Sequence, residues 1–115
     1  MAQTSAIDGK AIDNIRALGK PNLLDRIIML FCDDTPKLLE SMRQAAAQQD
    51  AKTLASAAHR LKSSSANVGA VQLAALCVQT EMLGRDSHID QARALVAEMH
   101  AEFQRVRLAL ETRQW

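Results

Sequence analysis

The chain has 115 residues, with 14 Lys or Arg against 13 Asp or Glu and a formal charge of +1. That length supports one compact domain over 1–115, able to bury a core without a metal or a disulfide. Near-neutral charge, no Lys/Arg block and only two Phe, one Trp and no Tyr exclude nucleic-acid binding, which needs a basic face or stacking rings.

No apolar run approaches the roughly 20 residues that span a membrane. The opening Met1–Lys10 lacks the basic and apolar regions of a signal peptide. Cys32 and Cys77 lie within apolar helical patterns and read as two buried thiols in a reducing cytoplasm. Twenty alanines beside so few aromatics favour closely packed helices over strands.

Gly9 and Gly19 bracket a short segment with Ile12, Ile15 and Leu18 spaced by three, which predicts an N-terminal helix. Gly19-Lys20-Pro21-Asn22 signals a turn, with Asn22 as the cap of the next element. Leu24, Ile28, Phe31, Thr35, Leu38, Met42 and Ala45 then hold one helical phase. Pro36 interrupts that run and predicts a kink or a short break.

Gln49-Asp50 ends this helix, and Asp50 is placed to cap the following one. There Leu54, Ala58, Leu61, Ser65 and Val68 form the inner stripe, and Gly69 suits the left-handed position after the helix. A fourth pattern puts Leu73, Leu76, Thr80 and Leu83 inward, with a turn at Gly84-Arg85-Asp86-Ser87. The last helix, from about His88 to Thr112, buries Ala92, Val96, Met99, Phe103, Val106 and Leu110. The result is an all-α fold: an antiparallel four-helix bundle over about 22–112, with an extension and a short additional helix in 1–20.

Function must come from a site on this scaffold. The histidines His59, His88 and His100 stand far apart, and no Glu-x-x-His is present, so no metal site is read. His88 and His100 read as solvated or boundary residues. His59 lies about 100° from the inner stripe of its helix, and its surface neighbours are Ala55, Ser56, Lys62, Ser63 and Ala66. Small neighbours leave the imidazole open to a large partner, and Lys52, Arg60 and Lys62 make the field positive. A neutral imidazole is a competent nucleophile, and a cation one turn away favours a phosphoryl group. Counting back across the turn at Val68 puts Cys77 to Glu81 at the depth of His59. Glu81 is the polar candidate to hold the other ring nitrogen. An ordinary surface histidine beside an ordinary glutamate fits the same spacing.

The segment His59-Arg60-Leu61-Lys62-Ser63-Ser64-Ser65-Ala66-Asn67-Val68-Gly69-Ala70 resembles the signature H-x-L-K-G-S-S-x-x-x-G-A of the histidine-containing phosphotransfer (HPt) domain family. His59, Leu61, Lys62, Ser64, Ser65, Gly69 and Ala70 match it, and Phe31–Leu39 is similar to the family's second helix. The resemblance implies that His59 accepts a phosphoryl group from a receiver-domain aspartate and passes it to another receiver. It places Lys62 beside the phosphohistidine and gives Glu81 an orienting role. Ser63 stands where the family usually has Gly, in space left for the partner's loop. The implied partners are receiver domains of a hybrid sensor kinase or a response regulator. No cofactor is implied for this chain, Mg²⁺ being expected in the receiver, and no autokinase activity. Lys52, Ala55, Ser56, Arg60, Ser63 and Ala66 are the expected docking face of a cytoplasmic monomer. The competing reading is a helical module that binds a receiver without phosphoryl transfer.

Overall fold

A computed structural model describes residues 5–115; Met1–Thr4, the start of the segment read as lacking signal-peptide character, lie outside the described residues. The elements are α1 (Gly9–Ala17), α2 (Leu23–Ala47), α3 (Ala51–Asn67), α4 (Val71–Arg85) and α5 (Ile89–Glu111). The described residues contain no strand. None of their helices is long and apolar enough to cross a membrane.

Helices α2 to α5 alternate in direction because each connection is only three residues long. Their stripes of Leu, Met, Val and Ala meet in one core, where Phe31 and Phe103 pack edge to face at 5.9 Å between ring centroids. Such a ring pair adds about 1 kcal/mol beyond its buried area. The inner stripes expected for α3 and α5 are buried throughout.

On α2 the expected line is buried at Ile28, Phe31, Thr35, Met42 and Ala45, and it departs from expectation only locally; α4 departs in rotation. On α2, Leu39 is the fully buried residue and Leu38 packs half-buried against the core edge. On α4 the buried line is Leu73, Cys77, Thr80, Glu81 and Gly84, with Leu76 and Leu83 only partly buried. Two apolar lines on one helix fit a spacing argument equally well, and close packing against α3 selects the one carrying Gly84. Gly84 therefore lies inside α4, not in a turn.

α2 runs through Pro36 without a break. Pro36 is exposed, so water can meet the carbonyl left without a helical donor. Asn22 does precede α2, but its backbone is left-handed at φ 62° and its side chain makes no capping bond. A capping side chain reaches the first-turn amides from an extended backbone, which Asn22 lacks. Asp50 does cap α3, accepting from the Thr53 amide at 3.1 Å. Of the two cysteines, Cys77 is buried and Cys32 only partly so.

The N-terminal segment closes one end of the bundle. Ala6, Ile7 and Ile12 are buried in the core, and Asp8 caps α1 through the Lys10 amide. Leu18, one residue past α1, is 63% exposed and takes no part in the packing. The Asp8 amide donates to the Gly69 carbonyl at 2.7 Å, which ties this segment to the α3–α4 turn. Gly69 is left-handed at φ +79°, and a Cβ there would stand 2.6 Å from the Asp8 carbonyl oxygen.

Gly69→Ala should therefore cost more than Gly19→Ala, whose backbone is also left-handed but whose Cβ would meet nothing within 4 Å. Urea unfolding should show a loss of about 1 kcal/mol for Gly19→Ala and about 2–3 for Gly69→Ala. Equal losses would mean that the Asp8 contact is easily displaced.

Candidate functional site

α3 and α4 pass close together because the residues between them are small. A Cβ on Gly84 would already stand 3.4 Å from the Ala55 Cβ and 3.5 Å from the Ala51 carbonyl oxygen. This approach brings Glu81 against His59, 22 positions earlier in the chain. The His59 Nδ1 lies 3.0 Å from Glu81 Oε2 and 3.3 Å from Oε1.

A carboxylate only accepts, so the imidazole donates from Nδ1 and its neutral form carries the proton there. That leaves the lone pair on Nε2, at the far edge of a ring whose side chain is 55% exposed. The Glu81 side chain is 9% exposed and has two further partners. Arg85, one turn on in α4, donates to Oε2 at 2.6 Å, and the Lys62 ammonium lies 3.8 Å from Oε1. The near-burial of this carboxylate is thus matched by a charge-assisted bond and a second cation.

The remaining predicted site residues are spread around the histidine. Lys52, Ser56, Arg60, Ser63 and Ala66 are exposed. Ser63 returns its hydroxyl to the His59 carbonyl at 3.4 Å, a bond within its own helix. Ala55 departs from the expected open ring: it is 8% exposed, because its methyl group forms the seam with Gly84. Arg60 turns away from the Glu81 side and lines a hollow with Leu30, Phe31 and Leu38 of α2. Lys52 and Ser56 share with His59, Glu81, Gly84 and Arg85 a hollow of about 530 Å³ between α3 and α4.

Sequence pattern alone places Gly84 and Arg85 in a turn and so does not show them as part of the site, whereas both lie inside α4. The i, i+4 spacing of Glu81 and Arg85 was the available signal. His88 precedes α5 without a capping bond, and His100 is exposed on α5. Among the described residues no three His, Cys, Asp or Glu side chains come together as metal ligands.

The model of the Hpt domain matches residues 26–109. The chain belongs to the Hpt domain family. It is similar to histidine-containing phosphotransfer protein B (HptB) from Pseudomonas aeruginosa PAO1, with 27% identity, a TM-score of 0.89 and 96% of each chain covered. It is also similar to the histidine-containing phosphotransfer protein ZmHP2 from maize, at 27% identity and a TM-score of 0.82, over 93% of this chain and 87% of that one. No curated protein sequence matches the chain. The Hpt match begins inside α2 and ends inside α5, so α1 and Asp8 lie outside it while Gly69, to which Asp8 is bonded, lies within.

Beneath Glu81 this Hpt domain buries Cys77, and burial, assisted by the Glu81 carboxylate, pushes its thiol from 9.0 up to about 12. The folded state holds this proton where the unfolded chain releases it, so stability should fall as pH rises from about 9 to about 12. Cys77→Ala should flatten that alkaline decline, as followed by urea midpoints across the range. For the ring, ¹⁵N spectra at neutral pH should show His59 as the Nδ1–H tautomer. Glu81→Ala should return the proton to Nε2, and an Nε2–H form in the wild type would contradict the observed geometry.

Proposed function

We propose that His59 is the phosphoryl acceptor of this phosphorelay domain, taking the group from the aspartate of one receiver domain and passing it to another. The observation that carries this is the Glu81 carboxylate on Nδ1, which supports a free lone pair on the exposed Nε2. In the forward step Nε2 attacks phosphorus, the N–P bond forms and the P–O bond to the aspartate breaks. The donor leaves as a carboxylate. The Nδ1 proton stays in place, so the phosphorylated ring is cationic and lies beside the Glu81 carboxylate. The second receiver reverses these changes at its own aspartate.

Lys62 supplies positive charge near the incoming phosphoryl oxygens. Positioning and charge stabilisation are what phosphoryl transfer chiefly requires. The Mg²⁺ ion of the reaction is assigned to the receiver. Lys52, Ser56, Arg60, Ser63 and Ala66 are the docking face, and Ser63 adds only a hydroxymethyl group where the family usually has Gly. The domain is read as a monomer that serves a hybrid sensor kinase, a response regulator or both, in the cytoplasm, where its two thiols stay reduced.

The test mixes a receiver domain charged with phosphate with this chain and follows intact mass. An acid-labile phosphoryl adduct should form on the wild type and be absent from His59→Gln, which should keep the wild-type helical spectrum. Lys62→Ala should form the adduct at least about tenfold more slowly, as expected when a cation next to the transferred group is lost. An equal adduct on His59→Gln would remove His59 from the role. Tight binding of the receiver without any adduct would favour a docking module in place of a carrier.

A further inference from the structure

Charge around His59 is one-sided. α3 carries Lys52, Arg60 and Lys62 with no acidic residue, while α4 carries Arg85 and Glu81. Four cations against one carboxylate give these two helices +3, in a chain whose total is only +1. Of these four cations, Lys62 and Arg85 meet the Glu81 carboxylate. Lys52 has no such ion pair among the described residues, although its charge is felt by the Asp50 carboxyl two positions away.

Lys52 also borders the hollow of about 530 Å³ beside His59, and Arg85 borders it from α4. Ala51, Ala55 and Gly84 leave this space open, since a larger side chain at any of them would fill it. The Arg85 side chain is 69% exposed and uses one guanidinium N–H on Glu81, out of five donors. Glu81 lines the same hollow and meets Arg85, which leaves the hollow with one uncompensated positive charge, that of Lys52, for an incoming anion to balance. Lys52 stands seven residues before His59, about 10 Å along the helix. An anion at the Lys52 end of the hollow therefore lies about two helical turns before the histidine, and is distinct from the group in transfer.

We propose that this hollow receives a carboxylate side chain from the docking face of the receiver domain, held between the Lys52 ammonium and the unused N–H groups of Arg85. This rests on the reading of His59 as acceptor and adds to it a chemical requirement on the partner. Lys52 then governs how fast and with which receiver the complex forms, and leaves the transfer step inside the complex alone. Arg85 couples the two, because it touches both the hollow and the carboxylate that orients the ring.

The experiment is rapid-quench transfer from a phosphorylated receiver domain to wild type, Lys52→Gln, Lys52→Glu and Lys52→Arg, with His59→Gln as the blank. At low salt Lys52→Glu should lower the second-order constant about tenfold, with Lys52→Gln between it and wild type. Lys52→Arg should restore it. The differences should close toward 1 M salt, where the screening length falls to about 3 Å. The rate at saturating receiver should stay the same in all four. Equal second-order constants at low salt, with wild-type transfer intact, would overturn this proposal alone. A fall in the saturated rate would also overturn it, because Lys52 would then act in the chemistry. A wild type that takes nothing from any receiver would overturn the acceptor reading and this one together.

Discussion

An imidazole on one helix can be held by a carboxylate on its neighbour only where the two backbones run close together. In this protein that condition is met by Gly84 lying against Ala55 and Ala51. A branched side chain at Gly84 would drive α4 away from α3 and stretch the 3.0 Å bond between His59 and Glu81. The same small residues leave the open hollow next to the ring. The helix seam, the orientation of the imidazole and the shape of the face around it therefore have one cause.

The electrostatic design follows from where Glu81 sits. A carboxylate this buried is costly unless several donors face it, and three groups do so here. Arg85 comes from the same helix and fixes the carboxylate before any long-range contact is made. Lys62 shares a helix with His59, so its approach to Glu81 also crosses the seam. In the proposed transfer the ring becomes a cation at the moment when a carboxylate is already beside it. No side chain then has to travel to balance the new charge.

Much of this was legible in the sequence, and what was not has physical reasons. α3 and α5 carry single unambiguous stripes, so periodicity alone identified their buried faces. α4 is apolar on more than one side, and its rotation was decided by Gly84, which a local reading takes for a turn residue. Glu81 was found by counting back from the turn, because a short antiparallel connection fixes the depth at which residues meet. Arg85 is obscured because the Gly84-Arg85-Asp86-Ser87 run reads as a turn, which hides its i, i+4 relation to Glu81 within α4. The two ends of the family signature also do different work. In the proposed transfer His59 and Lys62 act at the phosphoryl group, whereas Gly69 gives backbone room to a segment more than sixty residues earlier in the chain.

The chain's one tryptophan occupies an unusual place. Trp115 is partly buried at the C-terminus, with the Arg16 guanidinium 5.6 Å from its ring centroid and that of Arg113 at 6.0 Å. Its Cδ1 lies 3.6 Å from where a Cβ on Gly9 would stand, and Arg113 in turn holds Asp25 of α2. The first helix, the second helix and the last residue thus converge on one indole. Because no tyrosine and no second tryptophan compete, the fluorescence of this protein is an optical gauge of that junction, set apart from the face that carries His59.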